Sequence, residues 1–212
     1  TVTVSADAEA TFSQDVYVAT LTTNDQTITF NGANLDVTNG IDGDGTLIFA
    51  GTNLTTSSGI TGDAGTLTLS GTGTQTVDAA IGTSTADFGT VTVGSLSEAT
   101  FNEDIYATTL TTNDNSFIFA GDTLDVTSGI NSATVGNGAM TLSGTGTQTI
   151  DATIGTSTTE FGTVTVGSSS DATFSQDVYV ATLTTNDQII TFNGTNLDVT
   201  NGIDGDGTLI FA

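Results

Sequence analysis

The chain contains no lysine, arginine, histidine, cysteine, proline or tryptophan in its 212 residues. Each absence removes a class of chemistry. Without Lys or Arg no side chain can neutralise a phosphate, which excludes nucleic-acid binding in its usual form. Attraction to an anionic membrane surface is lost for the same reason. The 24 Asp and Glu have no cationic side chain to pair with, so solvent cations such as Ca²⁺ or Na⁺ must screen a net charge of −24. Trypsin-type cleavage sites are missing as well. Without His and Cys the usual zinc sites and nucleophile–histidine triads cannot be built, and without Lys there is no Walker loop. Disulfides are excluded, which leaves no cysteine-based signal of compartment. No apolar run approaches the roughly 18 residues needed to span a bilayer, and no signal peptide is visible. No membrane insertion of this segment is expected.

What is present is regular. Acidic, aromatic-poor chains are often disordered, but here 36% of residues are hydrophobic and they recur in a fixed pattern. Residues 1–50 and 163–212 are two copies of one sequence that differ at seven of 50 positions, and a more divergent copy starts at Thr90. The chain therefore divides into copies 1–89, 90–162 and 163–212. Inside each copy a finer unit recurs every 19–26 residues, marked by Thr1-Val-Thr-Val4, Thr27-Ile-Thr-Phe30, Thr46-Leu-Ile-Phe49, Thr66-Leu-Thr-Leu69 and their later equivalents. The second copy lacks the unit around residues 46–65. Losing a whole unit while keeping the pattern is what a stack of equivalent coils permits.

Each unit reads as a four-residue strand, a Gly/Asn turn, a second short strand such as Leu35-Asp-Val37, and a lone aliphatic residue such as Ile41. The longer units carry extra strand, as in Val16-Tyr-Val-Ala-Thr-Leu-Thr-Thr23. Period-two alternation, β-branched residues and Gly/Asn/Asp punctuation all point to strands. No helical stripe is visible. The expected fold is all-β: a right-handed parallel β-helix, or β-solenoid, of about nine coils with three short strands per coil. Nine coils at about 4.8 Å each give a rod of roughly 43 Å. Stacking every first strand on the next would place Val2/Val4 on Ile28/Phe30, then Leu47/Phe49, and so on to Leu209/Phe211. Thr3, Thr29, Thr68, Thr92, Thr141, Thr165 and Thr191 would then form one outer ladder, interrupted by Ile48, Ile118 and Ile210. Residues 1–212 read as one continuous solenoid segment, a piece of a longer repetitive protein. Its open ends are expected to be sticky edges.

Candidate sites are few. The Asp-Gly-Asp-Gly loops supply Asp42, Asp44, Asp204 and Asp206, oxygen ligands of the kind that suit Ca²⁺. They fit neither the EF-hand loop nor the glycine-rich calcium repeat, and solvated acidic turns are the plainer reading. Gly71-Thr-Gly-Thr74 superficially resembles a phosphate loop but sits in a repeated turn. Two carboxylates could hydrolyse a glycoside. However, Tyr17, Tyr106 and Tyr179 occupy one equivalent repeat position, which speaks for structure, and no enzyme is expected. The Thr-x-Thr ladder resembles the ice-binding faces of antifreeze solenoids, which implies ice binding as the alternative function.

Gly71-Thr-Gly-Thr-Gln-Thr-Val77, Phe88-Gly-Thr-Val-Thr-Val-Gly94 and the imperfect Thr/Asn/Gly/Asp-rich repeats around them resemble the passenger domains of bacterial autotransporters and giant repetitive adhesins. The resemblance implies a non-catalytic extracellular rod on a bacterial surface. Its expected partners are other copies, end to end or laterally, or the surface of a host or neighbouring cell.

Overall fold

The computed structural model describes all 212 residues as a parallel β-solenoid. It contains 25 short strands and no helix, and every pairing between strands is parallel. Apolar residues point inward at alternate positions, so Thr27-Ile-Thr-Phe30 buries Ile28 and Phe30 and leaves both threonines partly exposed. Forty-four buried apolar residues make one unbroken core running along the axis. Fully burying each of the larger ones contributes about 1.5–3 kcal/mol.

Three sides close each coil. The first side carries the column Val2, Leu21, Ile41, Ile60, Ile81, Ile105, Leu124, Ile150, Phe174, Phe192 and Phe211. The second carries Ala10, Ile28, Leu47, Leu67, Val91, Leu110, Ile130, Ile154, Val178 and Leu197. The third runs from Val16 through Leu35, Leu54, Val77, Phe101, Phe119 and Leu142 to Val166.

The first side has eleven rungs, so the solenoid has about eleven turns rather than nine. The extra strand in the opening units explains the difference. Residues 1–26 contain four strands, at 2–3, 10–12, 16–18 and 21–22. Three of them close a coil, and the fourth carries the chain one side further. The strand at 105–111 does the same by covering two sides, with a register shift between Ala107 and Leu110. The strand at 178–184 repeats this between Val180 and Thr182. Successive copies are therefore rotated by one side. Val2 lies on Leu21 and not on Ile28. Val91 is followed by Leu110, and Phe117 lies on Ala99. The expected single stack of first strands is thus divided among all three sides.

One corner is built identically in each copy. In Thr-Thr-Asn-Asp at 22–25, 111–114 and 184–187, both Asn and Asp adopt the left-handed region, with φ of 48° at Asn113 and 66° at Asp114. The amide of the Asn reaches the preceding coil: Asn24, Asn113 and Asn186 donate from Nδ2 to the carbonyls of Val4, Val93 and Val166 at 2.7, 2.9 and 2.8 Å. Asn tolerates this backbone and supplies the bond; alanine does neither. Asn113→Ala should therefore lower stability by about 2–3 kcal/mol, and Asn113→Gly, which loses only the bond, by about 1 kcal/mol. Denaturant titration of the two variants checks the order, and equal losses would refute it.

Candidate functional site

The four loop aspartates are not brought together. Asp42 sits on the first side, beside Thr22 and Thr61. Its copy Asp204 sits on the third side beside Thr184, because the rotation has moved it. Asp44 is engaged within the protein: its Oδ1 accepts the Ala64 N–H of the following coil at 3.2 Å. The Asp206 N–H donates to Asp187 Oδ1 at 3.3 Å. No group of three or more acidic side chains gathers where it could hold a metal ion.

The Asp44 contact belongs to a recurring device. Asp15 Oδ1 accepts the Asn34 N–H at 3.0 Å, and its Oδ2 accepts from Asn34 Nδ2 at 2.8 Å. Asp177, its copy, takes the N–H groups of Thr195 and Asn196 and the Asn196 amide. Asp104 takes those of Asp122 and Thr123, and Asp114 takes the N–H and hydroxyl of Thr134. In each case a carboxylate at a corner clips the backbone of the next coil, roughly one coil length further on in sequence. A negative group that accepts N–H bonds makes stronger contacts than a neutral one. This gives the chain's acidity a structural use that needs no cationic side chain. Nothing in the local sequence around Asp15 or Asp104 marks them, since their partners lie 18–19 residues away.

The same bonds hold the carboxyls of Asp15, Asp114 and Asp177 below their ordinary range. Side-chain donation by Asn34, Thr134 and Asn196 is the largest cause, and backbone donation comes next. Asp125 moves the other way, raised first by burial and then by the charges of Asp151, its neighbour in the ladder, and Asp87. The signs fix the pH response. The stabilisation from the three lowered groups is complete above the ordinary carboxylate value and is lost as pH falls through their lowered values. Asp125 opposes folding at neutral pH and is relieved by protonation. General repulsion also falls in acid, so the informative comparison is between variants. Thermal unfolding against pH at fixed ionic strength should show that Asp177→Asn flattens the acid-side loss relative to the parent. Superimposable curves would refute the clip.

The outer ladders are divided in the same way as the core. On the second side the outward pairs are Thr27/Thr29, Thr46/Ile48, Thr66/Thr68, Thr90/Thr92 and Thr109/Thr111 on five successive rungs. The hydroxyls of these threonines make no hydrogen bond within the protein. Thr141 and Thr165 lie on the third side, and Thr191 on the first. The three tyrosines are also dispersed. Tyr17 faces out from the third side beside Asp36, Tyr106 from the first beside Asp125, and Tyr179 from the second beside Asp198.

Two interior features escaped the pattern reading. Gln75 and Gln148 are fully buried in the wall, bonded to backbone groups on two neighbouring coils. The signal was in the sequence, as a polar residue at an inward position of Gly73-Thr-Gln-Thr-Val77 and of its copy, Gly146-Thr-Gln-Thr-Ile150. The Gly-Thr-Gly-Thr run at 71–74 is indeed a corner, with the Gly71 N–H bonded to Gln75 Oε1 at 2.9 Å.

Compared with protein-family models, with curated proteins and with solved structures, the chain matches none of them.

Proposed function

We propose that this chain is a non-catalytic rod exposed on the outside of a bacterial cell, serving as a structural or adhesive element. The observation that carries the reading is the rotation of the repeat. A site for chemistry needs a constellation that occurs once, yet Tyr17, Tyr106 and Tyr179 and the Thr pairs present the same side chains on all three sides. A rod whose sides are alike suits contacts made many times along its length, with other copies or with a host or neighbouring cell. Lack of Lys and Arg suits exposure to trypsin-like proteases. Gold-labelled antibody on intact producing cells, followed by cryo-electron microscopy of the labelled material, tests the reading. Label on rods or filaments outside the envelope is expected. Label that appears only after permeabilisation would overturn it.

A second reading, ice binding, is favoured by one feature. Four Thr-x-Thr rungs on the second side, interrupted once by Ile48, form a neutral patch on a polyanion, with hydroxyls free to bond outward. Measurement of thermal hysteresis separates the two: a freezing-point gap that Thr68→Lys abolishes supports ice binding, and its absence removes the reading.

A further inference from the structure

Between residues 18 and 188 the only large apolar side chains left exposed are Leu96, at 72%, Val135, at 57%, and Ile118, at 38%. All three belong to successive coils along one edge of the rod. Leu96 leads into the strand at 97–101, Ile118 lies in the strand at 116–119, and Val135 leads into the strand at 139–142. These strands pair in that order on the third side. The strands at 73–78 and 161–166 continue the sheet on either hand, so the exposure of the group does not depend on where the sequence begins or ends. The other copies are polar at these points. Leu96 stands where they have Asp7 and Ser169, and Ile118 where they have Thr29 and Thr191. Val135 lies in a corner of eight residues, 131–138, against five at 61–65 of the first copy. Two neighbours are smaller as well. Ser116 and Ala139 replace Thr27 and Thr66, and they stack on adjacent rungs. The result is a hollow of about 240 Å³ beside Ile118, with Glu98 and Thr141 in its walls.

We infer that this hollow is the docking site for a basic partner polypeptide, which sets an aliphatic side chain against Ile118 and a cationic side chain on Glu98. The hollow is smaller than the roughly 300–1,000 Å³ of pockets that enclose a free small molecule, which suits a single side chain presented by a larger partner. Two carboxylates frame the apolar group. Glu98 is exposed, with Oε2 accepting the Thr74 hydroxyl at 3.4 Å. Asp114 sits on the edge between Leu96 and Val135, where it accepts the Thr134 N–H and hydroxyl. Charge selects the occupant. With a net charge of −24 and no Lys or Arg, a second copy is repelled. A segment that mixes basic and aliphatic residues is complementary to both parts of the site. Charge alone would hold such a segment anywhere along the rod, and the apolar contact fixes it here. Isolated in the second copy, the site is a constellation that the repeat does not reproduce.

The docking deepens the adhesive reading and rests on it for its biological setting. The test uses the full chain and two fluorescent pentapeptides, one with four lysines around a central leucine and one with four lysines around a central serine. Anisotropy is read at about 0.15 M salt, where screening limits the long-range attraction common to both. The leucine peptide should bind about tenfold more tightly, as expected from burying one leucine side chain. Leu96→Ser combined with Ile118→Thr restores the residues that the third copy carries at these places, so the coil accommodates them. This double variant should bring the leucine peptide to the affinity of the serine peptide and leave the latter unchanged. Glu98→Gln should weaken the leucine peptide severalfold. Equal affinities of the two peptides in the parent overturn the site, and so does a preference that survives the double variant or is indifferent to Glu98→Gln. Sedimentation of the protein alone decides the competing occupant: a dimer that the double variant abolishes would assign the patch to a second copy and overturn the basic partner. Each of these failures leaves surface labelling of the rod, and hence the proposed function, untouched.

Discussion

Replacing Gln148 by leucine should remove on the order of 2–5 kcal/mol of stability, although leucine is apolar and the site is fully buried. Gln148 Oε1 accepts the Gly144 N–H at 3.1 Å, and Nε2 donates to the carbonyls of Phe119 and Gly121 at 3.1 and 2.7 Å. The Gly144 N–H and the Gly121 carbonyl thus depend on one amide at this corner, while the Phe119 carbonyl also accepts the Ser143 N–H at 2.8 Å. A buried donor or acceptor stripped of its partner costs about 1–3 kcal/mol, which exceeds the gain from added apolar surface. The next coil continues the arrangement: Ser170 Oγ donates to the Gly144 carbonyl at 2.6 Å. Gln75 and Ser97 repeat the whole device one copy earlier, on Gly71, Phe49, Gly51 and Leu69. Gln75→Leu should therefore cost about as much as Gln148→Leu. Solenoids can open locally without unfolding throughout. Hydrogen exchange is thus the decisive readout: the Gly144 amide should lose its protection while amides several coils away keep theirs. A Gly144 amide as protected in the variant as in the parent would show that the glutamine is not its partner in solution.

Those glutamines illustrate what the sequence discloses and what it withholds. Alternation is local, so every inward residue of Thr27-Ile-Thr-Phe30 or Ala139-Met-Thr-Leu142 was legible from period two alone, and the structure buries Ile28, Phe30, Met140 and Leu142 as expected. Whether a strand stacks on its look-alike is not local. It depends on how many strands lie between them, and three strands close a coil. The extra strand at 16–23 was visible in the sequence, but its consequence, a rotation by one side, emerges only when the coil is closed. The same holds for the acidic loops. Asp42 and Asp204 have identical neighbours in sequence and different sides in space, so repeat identity could not say whether they meet. The carboxylate clips were the least legible of all, because an Asp at a corner reads as a solvated turn until the next coil brings its N–H.

The closure rule leads to a second expected result: deleting the twenty residues 46–65 should disturb the protein less than deleting Thr68 alone. Residues 46–65 contain three strands, at 46–49, 53–56 and 60–61, which together make one complete coil. Their removal joins Gly45 to Thr66 and recreates the Gly-Thr-Leu step already present at 45–47. Thr66–Leu69 then falls on Thr27–Phe30, and Gln75 meets the carbonyls of Phe30 and Gly32. The chain already contains that junction. In the second copy, which lacks this unit, the strand at 139–142 lies directly on 116–119, and Gln148 bonds to Phe119 and Gly121, the equivalents of Phe30 and Gly32. The shortened rod should lose one nearest-neighbour interface, keep its β-sheet circular dichroism per residue, melt within a few degrees of the parent, and shorten by about 4.8 Å in solution scattering. Deleting Thr68 instead shifts the end of its strand by one position, turning Leu69 outward and bringing Ser70 into the core. Losing the burial of a leucine and burying an unpartnered hydroxyl together cost about 3–5 kcal/mol, concentrated in two adjacent coils. If the twenty-residue deletion unfolds the chain while the single deletion is tolerated, coils are not the units of this structure, and the assignment of three sides per turn fails with them.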